Sequence, residues 1–361
     1  MLSELAADRA RIEDLDAEIR ALERSLSILR NEKAQVQERL DSYKYPVLSL
    51  PNEIVAEIFV YFLPTYPLRP PLIGADSPTL LTHVCHKWRD IAVATPELWR
   101  ALLFNHHTFP DIDLQLELCR LWLTRSQSYP LSMEFSKLLD IPSLSPLIVD
   151  ALAPHRARMV HLSVYVADLP KLVEGPLPML SELELTINKT SDLEFRTTLP
   201  EAPLLRSVTL NGFVESYPVT LPLVQLTSLT VSPAYRREYV TILREAPNLV
   251  HCTLGVCNDI DSQLDRIELL SLESLSLFAC GTNTIGCLDD FITPALRSLR
   301  LPETFLYPGS IESLSAFISK CDRLQQVDVT GPRTIPKASY RQAFRSIQFF
   351  FEEDSSSDAE S

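Results

Sequence analysis

Glycine is scarce in this chain, 8 of 361 residues, whereas proline reaches 27. Loops that cradle phosphate need glycine where backbone amides close on the ligand. No glycine-rich phosphate loop, G-x-S-x-G or H-E-x-x-H is present, and the expectation is a binding protein rather than an enzyme, with no cofactor. Basic residues are also in deficit, 33 against 47 acidic, giving a net charge of −14 that weighs against nucleic-acid or anionic-membrane partners. No apolar run approaches the roughly 18 residues of a membrane span, and the amino terminus lacks an apolar signal region. Seven cysteines, an odd number without a paired framework, fit a reducing compartment. A cytoplasmic and/or nuclear protein is expected. His83-x-Cys85-His86 is the nearest approach to a metal cluster, but no second ligand pair follows at finger spacing, so no metal site is assigned.

What the chain does have is a dense apolar stretch at 48–99, with three helix starts marked by proline, whose missing amide costs nothing at the first helical position. The first begins at Pro51, carries Glu53 in its first turn and ends before Pro64, with Ile54, Val55, Ile58, Phe59 and Phe62 as one stripe. A second starts near Pro78 behind Asp76 or Ser77, with Leu81, Val84, Cys85, Trp88 and Ile91 or Ala92 on one face. A third starts at Pro96 behind Thr95 and carries Leu98, Trp99 and Leu102. So small a unit buries too little of its own surface to stand alone, and it calls for a partner.

At these residues the sequence resembles the F-box, the helical module that docks receptors on the Skp adaptor of Skp–cullin–F-box ubiquitin ligases. The match runs through Leu50-Pro51-x-Glu53-Ile54, Ile58-Phe59, Val84-Cys85-x-x-Trp88-Arg89 and Thr95-Pro96-x-Leu98-Trp99, about 50 of the 361 residues. The resemblance implies adaptor contacts at Leu50, Pro51, Ile54, Ile58, Val84 and Trp88, the last equally suited to the internal core. The proline-rich segment 64–78 lengthens the first connection beyond the family pattern, and it is expected to loop out at small entropic cost.

Ahead of this module, 1–44 shows a heptad. Leu5, Ile12, Ile19, Leu26, Lys33 and Leu40 occupy position a; Asp8, Leu15, Leu22, Leu29, Val36 and Tyr43 occupy position d. With no glycine or proline to interrupt it, a long helix is expected. In a parallel homodimer Arg11 would attract Asp16 while Glu18 would repel Glu23, so the charges leave three options open: a homodimer through 1–44, packing on the chain's own body, or an outside partner.

Beyond the module, 113–125 is read as a helix with Leu114, Leu118, Leu121 and Trp122 on one side, and 130–135 alternates as a strand. Then a phrase close to L-x-x-L-x-L recurs eight times, from Met159, Leu180, Leu205, Leu226, Leu249, Leu272, Leu296 and Leu324, at spacings of 21 to 28 residues. The spacing resembles that of leucine-rich repeats. Each unit supplies one short strand that cannot bury its leucines alone, so neighbours stack into a curved parallel sheet backed by returns such as 236–245 and 311–320. The repeat's small turn residue has partial counterparts in Asn188, Cys257, Cys280 and Thr304.

Period two sends the residues between the leucines to the opposite, concave face. That lane offers Glu182, Glu184, Thr209, Thr230, His251, Ser276, Arg300 and Asp328 as candidate contacts for a protein target with some basic character. The fold expected is α/β: a long leading helix (1–44), a small helical F-box (45–104), a linking helix and first strand region (105–158), an irregular leucine-rich-repeat solenoid (159–335), a cap segment (336–351) and an acidic tail (352–361) without an apolar face. Function follows the resemblance: a substrate receptor that presents a protein target to a Skp–cullin ligase, or, alternatively, a scaffold that keeps the docking shape outside ligase complexes.

Overall fold

The computed structural model describes residues 2–42, 46–104, 112–135, 146–165, 172, 175–186, 197–199, 201–212, 219–257, 266–280, 287–307 and 309–352. The acidic tail past 352 and Asn188 lie outside the described residues. The chain divides into two compact units, Met1–Ile58 and Phe59–Ser361.

The first unit is mostly one helix, α1 (Leu2–Ser42), unbroken over 41 residues and therefore about 60 Å long. Its side chains from Asp8 to Leu40 are all exposed. A 3-10 turn at Pro46–Ser49 leads to α2 (Asn52–Phe62), whose ladder opens with the Val55 amide on the Pro51 carbonyl at 3.2 Å. Proline therefore stands just ahead of the helix, one position earlier than expected.

The second unit departs from the expected helices in three places. The single helix expected from Pro78 is two pieces, a 3-10 helix at Pro78–His83 and α3 (His86–Ala94). Ser77 caps the first, accepting from the Thr79 amide at 3.2 Å. Cys85 is extended and caps the second, its Sγ accepting from the Trp88 amide at 3.5 Å, so this thiol does not belong to a buried helical stripe. The third start yields only a 3-10 helix, Pro96–Trp99, after which Leu102 belongs to strand β1 (Ala101–Phe104). Helix α4 (Ile112–Arg125) forms as expected but buries Leu116, Cys119, Trp122 and Leu123, while Leu114 and Leu121 stay exposed.

The remaining strands follow in chain order: β2 (Leu131–Phe135), β3 (Met159–Tyr165), β4 (Glu182–Thr186), β5 (Thr197–Thr198), β6 (Ser207–Asn211), β7 (Val219–Thr220), β8 (Ser228–Ala234), β9 (His251–Val256), β10 (Ile267–Glu268), β11 (Ser274–Ala279), β12 (Phe291–Ile292), β13 (Ser298–Pro302), β14 (Gln326–Thr330) and β15 (Gln348–Phe351). Eleven form one sheet in the order β1-β2-β3-β4-β6-β8-β9-β11-β13-β14-β15, with every neighbour parallel. The eight L-x-x-L-x-L phrases supply β3, β4, β6, β8, β9, β11, β13 and β14; β1, β2 and β15 carry the sheet past both ends of 159–335. The short pairs β5·β7 and β10·β12, also parallel, lie in the returns.

Register explains the phrase. Leu162, Leu183, Val208, Leu229, Cys252, Leu275, Leu299, Val327 and Phe349 are partners strand by strand and all are buried. A slip of one residue would turn this row to solvent, and each buried aliphatic contributes roughly 1.5–3 kcal/mol. Helices Arg236–Arg244 and Ser310–Ile318 cover part of the sheet's apolar side with Tyr239, Val240, Leu243, Leu314 and Phe317, all buried. Two buried carboxylates tie the returns together. Asp290 accepts from Arg236 Nε at 2.8 Å and Tyr239 Oη at 2.9 Å, and Glu303 accepts from the Thr334 amide at 3.0 Å.

Candidate functional site

Two surfaces carry the residues singled out in the sequence. On α2 the apolar stripe separates into two sets. Val55 and Phe59, one turn apart, are buried, whereas Ile54 and Ile58 are 49% and 48% exposed, with Tyr61 and Phe62 exposed further along. Leu50 is half-buried and Pro51 exposed. In the second unit Val84 is 57% exposed. Trp88 is half-buried, its ring meeting Phe59 edge-on at a centroid distance of 4.9 Å. Its larger share is internal packing. His83 and His86 are exposed, and Cys85 is engaged as a cap. Among the described residues no three histidine, cysteine or acidic side chains converge as a metal site would require, and no helix is long and apolar enough to cross a membrane.

The second surface is the polar side of the sheet. Glu184, Thr209, Thr230, Thr253, Ser276, Arg300 and Asp328 are in register across seven strands, a row about 29 Å long at the usual strand spacing. Beside it run Glu182, Ser207, Ser228 and His251, also in register. All eight candidate target contacts therefore share one face. The row has charged ends and a neutral middle of threonine and serine. At one end Asn211 Nδ2 donates to Glu184 Oε1 at 2.7 Å. At the other Arg300 pairs with Asp328 at 3.3 Å.

The acidic end is partly occupied by the chain itself. The segment 64–78 does not loop out; its residues 66–69 lie against the polar side of β2 and β3, and Pro71 bridges to Leu103 of β1. Arg69 donates to Ser132 Oγ at 2.8 Å and pairs with Glu134 at 3.0 Å, and Ser132 Oγ donates to the Pro67 carbonyl at 2.8 Å. Arg100 stacks over the Tyr66 ring, 4.2 Å from its centroid. Burial raises the Tyr66 phenol above its ordinary value, against the pull of Arg100 and Arg69, and its Oη shares a hydrogen bond with His161 Nδ1 at 3.2 Å. The other ring nitrogen, Nε2, faces Glu182 Oε1 at 3.5 Å. Burial lowers the His161 pKa, with Glu182 opposing.

Sequence reasoning missed Tyr66, Arg69, Ser132 and Glu134. The available signal was the strand alternation at 130–135, which places Ser132 and Glu134 on the same side as the later polar lane, together with Arg69 as the one cation in a proline-rich stretch. A cavity of about 290 Å³ adjoins this strap, lined among others by Val60, Leu63, Tyr66, Leu68 and Arg100. Cys252 and Cys119 are pushed by burial up to about 12 and serve as packing groups.

No protein-family model matches the chain. No curated protein is significantly similar to it.

Proposed function

We propose that this protein is the substrate-recognition subunit of a Skp–cullin–F-box E3 ubiquitin ligase. Its F-box docks on the Skp adaptor, and through it the cullin, while a leucine-rich-repeat solenoid holds a protein target. The observation that carries the reading is the division of α2, where Val55 and Phe59 are buried and Ile54 and Ile58 are left outward. Two aliphatics held outward beside a buried pair are what a docking helix presents, and they fall in a stretch whose motifs, though not its first connection, resemble the F-box from Leu50 to Trp99. Leu50, Pro51, Ile54 and Ile58 in the first unit and Val84 in the second are the adaptor contacts of this reading; Trp88 packs on Phe59.

The in-register row from Glu184 to Asp328, with Glu182 and His251 beside it, is the target surface. Because residues 66–69 of the strap already lie on Ser132, Glu134 and His161, the target engages from Glu182 onward. Its acidic beginning favours a segment with basic side chains. The protein performs no bond chemistry. It raises the effective concentration of the target's lysines near the ubiquitin-loaded enzyme, so that transfer becomes intramolecular in effect.

The test is a pull-down of the full chain against the Skp adaptor and cullin, beside a Leu50→Ala/Pro51→Ala variant. Wild type is expected to recover both and the variant neither, with the sheet still folded by circular dichroism. Recovery of neither by the wild type would leave a scaffold that keeps the F-box shape without ligase assembly.

A further inference from the structure

The seam of α1 is a long stripe of exposed apolar side chains. Leu5, Ile12, Leu15, Ile19, Leu22, Leu26, Leu29, Val36 and Leu40 stand at heptad positions a and d of an unbroken helix, each between 40% and 64% exposed. The side chains of 8–40 are exposed throughout. A solitary helix in water gains little from propensity alone, and a stripe of this length needs a covering surface to hold it.

We infer that the occupant is a second copy of this chain, paired through α1 as a parallel two-stranded coiled coil. Three features of the seam select this occupant. Isoleucine holds position a at Ile12 and Ile19 while leucine holds position d at Leu15, Leu22 and Leu29, the arrangement that favours two parallel strands over three or four. Lys33 is the one basic residue at an a position. A single such residue costs stability but fixes register and strand number, because in a pair its ammonium reaches solvent past one neighbour only.

The third feature is charge. In the parallel pairing Arg11 meets Asp16 of the other copy and attracts it, Glu18 meets Glu23 and repels it, and Ser25 with Arg30 and Glu32 with Gln37 are without charge conflict. In the antiparallel pairing that keeps the whole seam overlapped, Arg11 meets Arg39, Glu18 meets Glu32 and Glu23 meets its own copy, with only Asp16 and Arg30 attracting. Parallel pairing balances its charges; antiparallel pairing accumulates repulsion. The pairing places two polar sheet faces in one particle, which multiplies the hold on a target carrying two basic segments.

Sedimentation equilibrium of the full chain tests this. Wild type is expected at twice the chain mass at micromolar concentration. Ile19→Lys/Leu22→Lys is expected at the monomer mass. Ile28→Lys, equally exposed but off the seam, is expected to stay a dimer. Glu23→Lys turns the repelling parallel pair into an attracting one and should tighten the dimer severalfold, whereas in an antiparallel dimer it leaves a like pair in place. Asp8→Cys should give a disulfide-linked dimer, absent from wild type, because position d faces its own copy only when the strands are parallel. A monomeric wild type, or a seam variant that remains dimeric, overturns the proposal. A dimer that Asp8→Cys does not link, or that Glu23→Lys leaves unchanged, overturns the parallel pairing.

Discussion

His161 sits on the polar side of β3 between the strap's Tyr66 and the carboxylate of Glu182, with Arg69 nearby. Burial lowers its pKa below the ordinary imidazole value of 6.5, and Arg69 adds to that, while Glu182 acts in the opposite direction. The consequence for stability has a definite sign. The unfolded chain takes up the proton first as pH falls, so the contribution of a neutral His161 is full above about 6.5 and is lost as pH drops toward the lower folded value. His161→Gln removes this dependence. Thermal midpoints at about pH 7.5 and about pH 5.5 should separate further for the wild type than for His161→Gln; equal separations would contradict the placement. The residue scale also shows why some details were not legible in the sequence. Cys85 falls at the right period for a buried stripe, but its extended backbone puts Sγ on the Trp88 amide. Capping and burial compete for the same residue type, and periodicity cannot tell one from the other.

At the scale of elements, α2 offers the sharpest contrast. Its periodicity gave the helix to within a residue, yet five apolar positions spread over more than one face, and only three-dimensional packing decides which are buried. Phe59 is buried and meets Trp88, so Phe59→Ala should cost about 3–5 kcal/mol of folding stability by denaturant titration. Ile58→Asp, one position earlier and nearly half exposed, should cost less than about 1 kcal/mol. Comparable losses in the two variants would mean that the helix face is assigned wrongly. The strap 64–78 teaches the complementary lesson. Its prolines suggest freedom to loop out, whereas Arg69 bonds Glu134 and Ser132, partners more than 60 positions away that no local pattern connects to it.

The whole molecule was legible where a repeated phrase imposed it. Eight strands, their parallel pairing and the sides to which their residues point all followed from L-x-x-L-x-L, because a row of leucines can be buried only by a neighbour in the same register. The sheet's ends were not legible on the same grounds. Strands β1 and β15 bury Leu102 and Phe349 without carrying the full phrase, and β2 alternates as a strand but stands alone in sequence. Edge strands need cover on one side only, so their patterns are weaker. Nor does the sheet by itself say what it holds; that part of the account rests on α2 and the polar row together. The most direct test of it is a calorimetric titration of the full chain with the Skp adaptor, beside the Ile54→Asp/Ile58→Asp variant. Two aliphatics lost from an interface are worth at least about tenfold in affinity. Saturable binding by the wild type, weakened at least that much in a variant that melts at the same temperature, is the result expected. A wild type that does not bind, or a variant that binds as tightly, would contradict the receptor reading.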